Sequence, residues 1–179
     1  MNFPRTAEQP MQIVTVIQGD FVVSADPHVI LSTVLGSCVA VCLFDPFARV
    51  GGMNHFLLAS STGSQSNDLR YGVNAMELLI NRVLHAGGDR ASLQAKVFGG
   101  ARMTAHAAAI GRNNADFALD FLHREGIACV SQSLGGDQAR RVQFTPTTGA
   151  ARQLQILGSE PVIETVQPPV PATSDITLF

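Results

Sequence analysis

From Val29 to Phe44 the chain is apolar almost without relief, and the run breaks at Leu35-Gly36-Ser37-Cys38. Its second half, Val39-Ala40-Val41-Cys42-Leu43-Phe44, lacks the alternation of a half-exposed strand and predicts a buried one. Asp45-Pro46 then supplies a turn, and Val50 to Leu58 reads as the returning strand of a hairpin. A hairpin this apolar has to be covered by the rest of the chain.

The covering elements follow from the same kind of pattern. Gln12 to Val23 is β-rich, with a turn signal at Gly19-Asp20. A helix is predicted from a cap at Asn67 or Asp68 to about Ala86, where Leu69, Val73, Met76, Ile80 and Val83 recur at helical spacing and Gly87-Gly88 ends it. Gln94 to Phe98 is a short strand closed by Gly99-Gly100. A second helix is expected from Asn113 to Glu125, with Phe117, Phe121 and Leu122 as core positions and Gly126 as its stop. Ile127–Leu134, Arg141–Thr145 and Arg152–Leu157 read as strands. Short strands with two separated helices argue for an α+β fold, a sheet layer covered by helices on one side. The expected organisation is a loose leader over residues 1–11, one folded domain over 12–157, and an extended tail over 158–179 carrying Pro161, Pro168, Pro169 and Pro171.

Composition narrows the partners. Across 179 residues only 15% are charged, the formal net charge is −2, and no block of like charges occurs. Recruitment to nucleic acid or an anionic membrane by bulk charge is therefore not expected. No stretch suits a signal peptide or the roughly 20 apolar residues of a membrane span, so a cytoplasmic protein without membrane insertion is expected. Cys38, Cys42 and Cys129 would then stay reduced.

Cys38 is the first candidate for chemistry. Gly36 and Ser37 before it are small enough for a tight bend and a close approach of substrate, and the cysteine sits where a loop enters a buried strand. A free cysteine is also a common packing residue, which is the reading given to Cys42 and Cys129 inside their apolar strands. His55 is the second candidate. If 38–44 pairs with 50–56, Cys38 and His55 meet at one open end of the ladder, and a Cys–His pair is the minimum device for nucleophilic attack on an amide or ester. Ser32 and Thr33, six and five residues before Cys38, are the hydroxyls that could orient the histidine. Asn54 would point to the opposite face. Gly99, Gly100 and Arg102 form a loop after a strand that could cradle a substrate backbone. His85 and His123 fall near the ends of the predicted helices and are expected to be exposed, and His28 and His106 have no evident chemical partner. Neither Cys-x-x-Cys nor His-Glu-x-x-His occurs, so no metal or other cofactor is implied.

Six blocks carrying these residues resemble the CheD family of bacterial chemotaxis: LSTVLGSCVAVCLFDP at 31–46, GGMNHFLL at 51–58, RYGVNAMELLINRVLHAGG at 70–88, KVFGGARM at 96–103, IGRNNADFALDFLHREGI at 110–127 and SLGGDQARRVQFTPTTG at 133–149. The resemblance implies hydrolytic deamidation of glutamine to glutamate on methyl-accepting chemoreceptors, with Cys38 as nucleophile and His55 as its partner. It implies a two-sheet sandwich with helices packed outside, similar to cytotoxic-necrotizing-factor-type cysteine deamidases. In some lineages it also implies a CheC-type phosphatase as partner. A family threonine six residues before the cysteine falls on Ser32, with Thr33 one place later, so the register favours Ser32 and leaves Thr33 as the alternative. Two competing functions use the same residues: a non-catalytic adaptor that keeps the cysteine for packing, and a methylesterase acting on glutamyl methyl esters.

Overall fold

The computed structural model describes residues 10–58, 65–104 and 107–156. His106, the tail over 158–179 and all but the last two residues of the leader lie outside them.

The apolar run explains the architecture. Its second half forms β4 (Val39–Asp45), buried at every position. β4 is the central strand of a five-stranded sheet ordered β2 (Phe21–Ser24), β5 (Val50–Phe56), β4, β6 (Gln94–Gly99), β7 (Ala128–Leu134). Val39, Val41 and Leu43 face a core shared with the two helices, α1 (Gln65–His85) and α2 (Ala107–Arg124). Cys38, Ala40, Cys42 and Phe44 face the opposite way, into a second core. That core is closed by a four-stranded sheet ordered β1 (Gln12–Thr15), β3 (Val29–Leu35), β8 (Arg140–Thr145), β9 (Ala150–Gln155). The layers are therefore helices, sheet, sheet. This is the α+β, two-sheet arrangement with helices outside, and both helices lie on the five-stranded sheet.

The predicted hairpin is present, with Val39 opposite Phe56, Ala40 opposite His55 and Asp45 opposite Val50. The Gly19-Asp20 turn has a different job from joining a local hairpin. It carries the chain from β1, parallel to β3 in one sheet, to β2, antiparallel to β5 in the other.

Three expectations need correction. Leu69 is 52% exposed, and Leu79 takes its place among the buried positions of α1. α2 starts at Ala107, six residues before the expected Asn113, because the Thr104 hydroxyl accepts from Ala107 N–H (3.1 Å) and supplies the cap. Within α2, Asn114, Ala118 and Leu122 are wholly buried, and Phe117 and Phe121 are half-buried and pack against the same core. Cys129 is exposed, because β7 is an edge strand paired only with β6 and its Ala128 to Gln132 stretch faces solvent.

Asp45 closes the hairpin from below. Its Oδ1 accepts from Phe47 N–H (2.8 Å) and Ala48 N–H (3.0 Å), and Oδ2 accepts from Asp89 N–H (2.8 Å). Burial by itself would raise this carboxyl, but the three N–H donors outweigh it and hold the pKa below the ordinary 3.8. A depressed pKa stabilises the fold above the unfolded value, and that contribution disappears as pH falls through the folded one. Asp45→Asn puts an amide NH2 against Asp89 N–H and should cost about 1–3 kcal/mol at neutral pH. In denaturant titrations, the gap between wild type and Asp45→Asn should narrow as pH falls below 3.8.

Candidate functional site

The turn that breaks the apolar run lies at the seam between the two sheets. Residues 36–38 join β3 of one sheet to β4 of the other, and their backbone is braced by the loop after β6. Gly100 N–H donates to Cys38 O and Ala101 N–H to Gly36 O, both at 2.8 Å. Gly99 makes this approach feasible: at φ +116 it is in a region that favours glycine, and a Cβ there would lie 2.1 Å from the Cys38 carbonyl oxygen.

Cys38 and His55 lie on the same face of the hairpin, and the imidazole spans the diagonal between them. His55 Nε2 is 2.9 Å from Cys38 Sγ. On the other side of the ring, Nδ1 is 2.9 Å from Thr33 Oγ1 and 3.4 Å from the Val16 carbonyl oxygen. The Thr33 hydroxyl donates to that same carbonyl at 2.8 Å. These contacts settle the protons. A carbonyl only accepts, so the single Thr33 proton is committed to Val16 O, and Thr33 faces His55 as an acceptor. Nδ1 therefore carries the imidazole hydrogen, and Nε2 presents its lone pair to the thiol.

The relay is dry: Cys38 is 0% exposed, Thr33 3% and His55 6%. Burial lowers the His55 pKa below the ordinary 6.5, only partly opposed by the hydrogen bond to Val16 O, so the ring is neutral at neutral pH.

The expected preference for Ser32 is reversed by this geometry. Thr33, Leu31 and Leu35 alternate onto the face between the sheets, while Ser32, paired with Thr15 and Gln143, belongs to the other face. Ser37 is buried beside Cys38 in the turn. Gly36, Gly99 and Gly100 belong to the brace. Arg102 joins it through its backbone, donating to Gly136 O (2.8 Å), but its exposed side chain lines a separate cavity of about 330 Å³ with Arg112 and Asp116. Asn54 faces the helices, where Oδ1 accepts from Val41 N–H (3.0 Å) and Nδ2 donates to Ala75 O (3.2 Å). Cys42 shares the Cys38 face, is fully buried, and burial pushes its thiol pKa up despite Lys96 nearby. His28, His85 and His123 are not at the site: His28 pairs with Asp26, and His85 Nδ1 donates to Asn81 O. The Val16 carbonyl is a site group that no sequence pattern announced, because it is backbone. Among the described residues, no His, Cys, Asp or Glu cluster could hold a metal ion, and no helix is long and apolar enough to cross a membrane.

A thiol, an imidazole with its lone pair turned to it, and a hydroxyl fixing the ring make up the equipment of cysteine-dependent acyl transfer as a class. The chain belongs to the CheD family: the family model described as "CheD chemotactic sensory transduction" matches residues 57–154. It is 52% identical over 182 residues to the "Probable chemoreceptor glutamine deamidase CheD 1" of Ruegeria sp. strain TM1040, covering 96% of this chain and 97% of that protein. It is 47% identical over 178 residues to the "Probable chemoreceptor glutamine deamidase CheD" of Cereibacter sphaeroides strain ATCC 17029, covering 98% and 89%. A crystal structure of a Neisseria meningitidis protein of the DUF152 family model superposes with a TM-score of 0.48 at 10% identity, over 71% of this chain and 65% of that one.

The hydroxyl assignment has a direct test. Thr33→Ala should slow alkylation of Cys38 at neutral pH by about two- to thirteenfold, the kinetic equivalent of a hydrogen bond of roughly 0.5–1.5 kcal/mol. Ser32→Ala should leave that rate unchanged. Mass spectrometry of the Cys38 peptide distinguishes its labelling from that of exposed Cys129.

Proposed function

We propose that this protein deamidates glutamine side chains of methyl-accepting chemoreceptors, with Cys38 as nucleophile, His55 as acid and base, and Thr33 orienting the histidine. The observation that carries the reading is the 2.9 Å contact between His55 Nε2 and Cys38 Sγ, with Nδ1 held by Thr33 on the far side. The names of the relatives supply the substrate class.

In this mechanism His55 Nε2 takes the thiol proton as Cys38 Sγ bonds to the carboxamide carbon. Negative charge on the amide oxygen is held by backbone N–H groups of the Gly36–Cys38 turn. The tetrahedral adduct collapses as His55 returns the proton to the amide nitrogen, the C–N bond breaks, and ammonia leaves. Water then adds to the thioester with His55 as base. The C–S bond breaks, and glutamate and the free thiol are released. The site needs a neutral imidazole to begin, which the burial of His55 provides. Because Cys38 is wholly buried, a carboxamide reaches it only when whatever covers the thiol is displaced, which couples chemistry to docking of the receptor. Acting on this substrate, the protein would work in the cytoplasm.

The reading is tested on a chemoreceptor fragment, following ammonia release and the glutamine-to-glutamate mass change. Cys38→Ala and Cys38→Ser should abolish both, and His55→Ala should lose at least about 100-fold in rate. Ammonia release by folded Cys38→Ala would remove the nucleophile assignment. Methanol release from a methylated receptor in place of ammonia would identify an esterase instead.

The pH profile carries its own sign. Activity requires His55 to be unprotonated at the outset, so kcat/KM should rise through a midpoint below 6.5 and be level at neutral pH. Cys38 alkylation by a neutral reagent should follow the same limb, instead of the ~8.5 of a free thiol. A midpoint near the free-thiol value would separate Cys38 from His55.

A further inference from the structure

Among the described residues, Arg140 is the buried cation. It opens β8 opposite Leu35, the last β3 residue before the nucleophile turn, and it is only 3% exposed. No ion pair among the described residues includes it. A buried guanidinium without a counter-ion is expensive unless its hydrogens are satisfied by other acceptors. Nη1 donates to Ser133 O (2.7 Å) and to Ser133 Oγ (3.1 Å), and Nη2 donates to Gly135 O. Nε is buried without an acceptor.

Those bonds hold the turn between β7 and β8, in which Gly135 and Gly136 are both left-handed at φ +76 and +78. The turn is in contact with the loop that braces Cys38. Gly135 N–H donates to Gly99 O (2.9 Å), and Gly136 O accepts from Arg102 N–H (2.8 Å). The same loop then reaches Cys38 O and Gly36 O through Gly100 and Ala101. Three backbone segments are thus laid side by side, with a forked cation at one end and the thiol at the other.

We propose that Arg140 is a positioning residue for Cys38: through the 133–136 turn and the Gly99–Arg102 loop, it fixes the backbone on either side of the nucleophile. The inference rests on the reading of Cys38 as a thiol activated by His55. The guanidinium is suited to the task because one planar fork bonds two carbonyls a turn apart, which a lysine ammonium does not do in a fixed geometry.

The test uses the full chain in a Cys129→Ser background, so that the exposed thiol does not interfere. Two quantities are read in wild type, Arg140→Met and Arg140→Lys: the pH midpoint of Cys38 alkylation and the hydrogen exchange of individual amides. In Arg140→Met the midpoint should move up toward the ~8.5 of an unassisted thiol. The Gly100 and Ala101 amides should lose protection, while Val41 and Val97 in the sheet interior keep theirs. Arg140→Lys should show the same changes to a smaller degree, and it carries the test if Arg140→Met does not fold. A folded variant with the wild-type midpoint and protected Gly100 and Ala101 amides overturns the proposal. If wild-type alkylation itself follows a free-thiol profile and ignores His55→Ala, the functional reading fails and no role for Arg140 in activation survives it.

Discussion

The site depends on one carbonyl oxygen. Val16 O accepts from the Thr33 hydroxyl, and because a carbonyl cannot donate, that bond fixes the direction of every proton between Thr33 and Cys38. Val16 sits where the chain leaves β1 on its way to β2, so its position is a property of the crossing between sheets. The crossing is tied down on both sides: Val16 N–H donates to Ser32 O (2.8 Å), Gly19 N–H to His55 O (2.7 Å), and His55 N–H to Asp20 O (3.1 Å). Residues 16–20 therefore hold the backbone of His55 in one sheet and the hydroxyl of Thr33 in the other. The relay forms where the two sheets are connected, and loosening that connection would disturb both partners of the imidazole together.

Cys38 and Cys42 show that burial alone does not make a thiol chemical. Both lie on the same face of one hairpin arm, both are fully buried, and both belong to the core between the sheets. Cys42 stands between Met53 and Lys96 in the sheet, with no imidazole in its register, and burial makes its thiol harder to ionise. Cys38 has an imidazole lone pair at 2.9 Å. Four residues separate a packing cysteine from a candidate nucleophile, and the difference lies in what stands across the ladder.

The Cys38–His55 pairing was legible in the sequence because it is a local fact. A tight turn at Asp45-Pro46 and two apolar arms leave one register that buries both, and that register places Cys38 and His55 at the same end. The third member was not legible to one residue. Ser32 and Thr33 carry similar hydroxyls, and only the face of β3 decides between them, since a slip of one position exchanges inside for outside. The face is set by β1 and β8, which lie distant in sequence. Cys129 misled for a related reason: its strand is apolar enough to be central, but the sheet ends there. Nothing in the sequence singles out Arg140, and its burial comes from a glycine turn whose path no periodicity describes.

Dryness gives the relay its last property. With His55 6% exposed and its pKa lowered by burial, an imidazolium is disfavoured in the resting site. Moving the thiol proton to His55 separates charge in a poorly solvated seam, which is costly unless the negative charge has somewhere to go. In the proposed reaction a bound carboxamide would supply that destination, because the charge would pass from sulfur to the amide oxygen as the new bond forms. The resting pair can therefore stay neutral, and the cost of charging it falls only when substrate is present. Burial limits how often an electrophile reaches the thiol, and the imidazole at Nε2 governs how readily the thiol reacts once it is reached. Burial of both groups therefore restricts Cys38 to partners that displace what covers it.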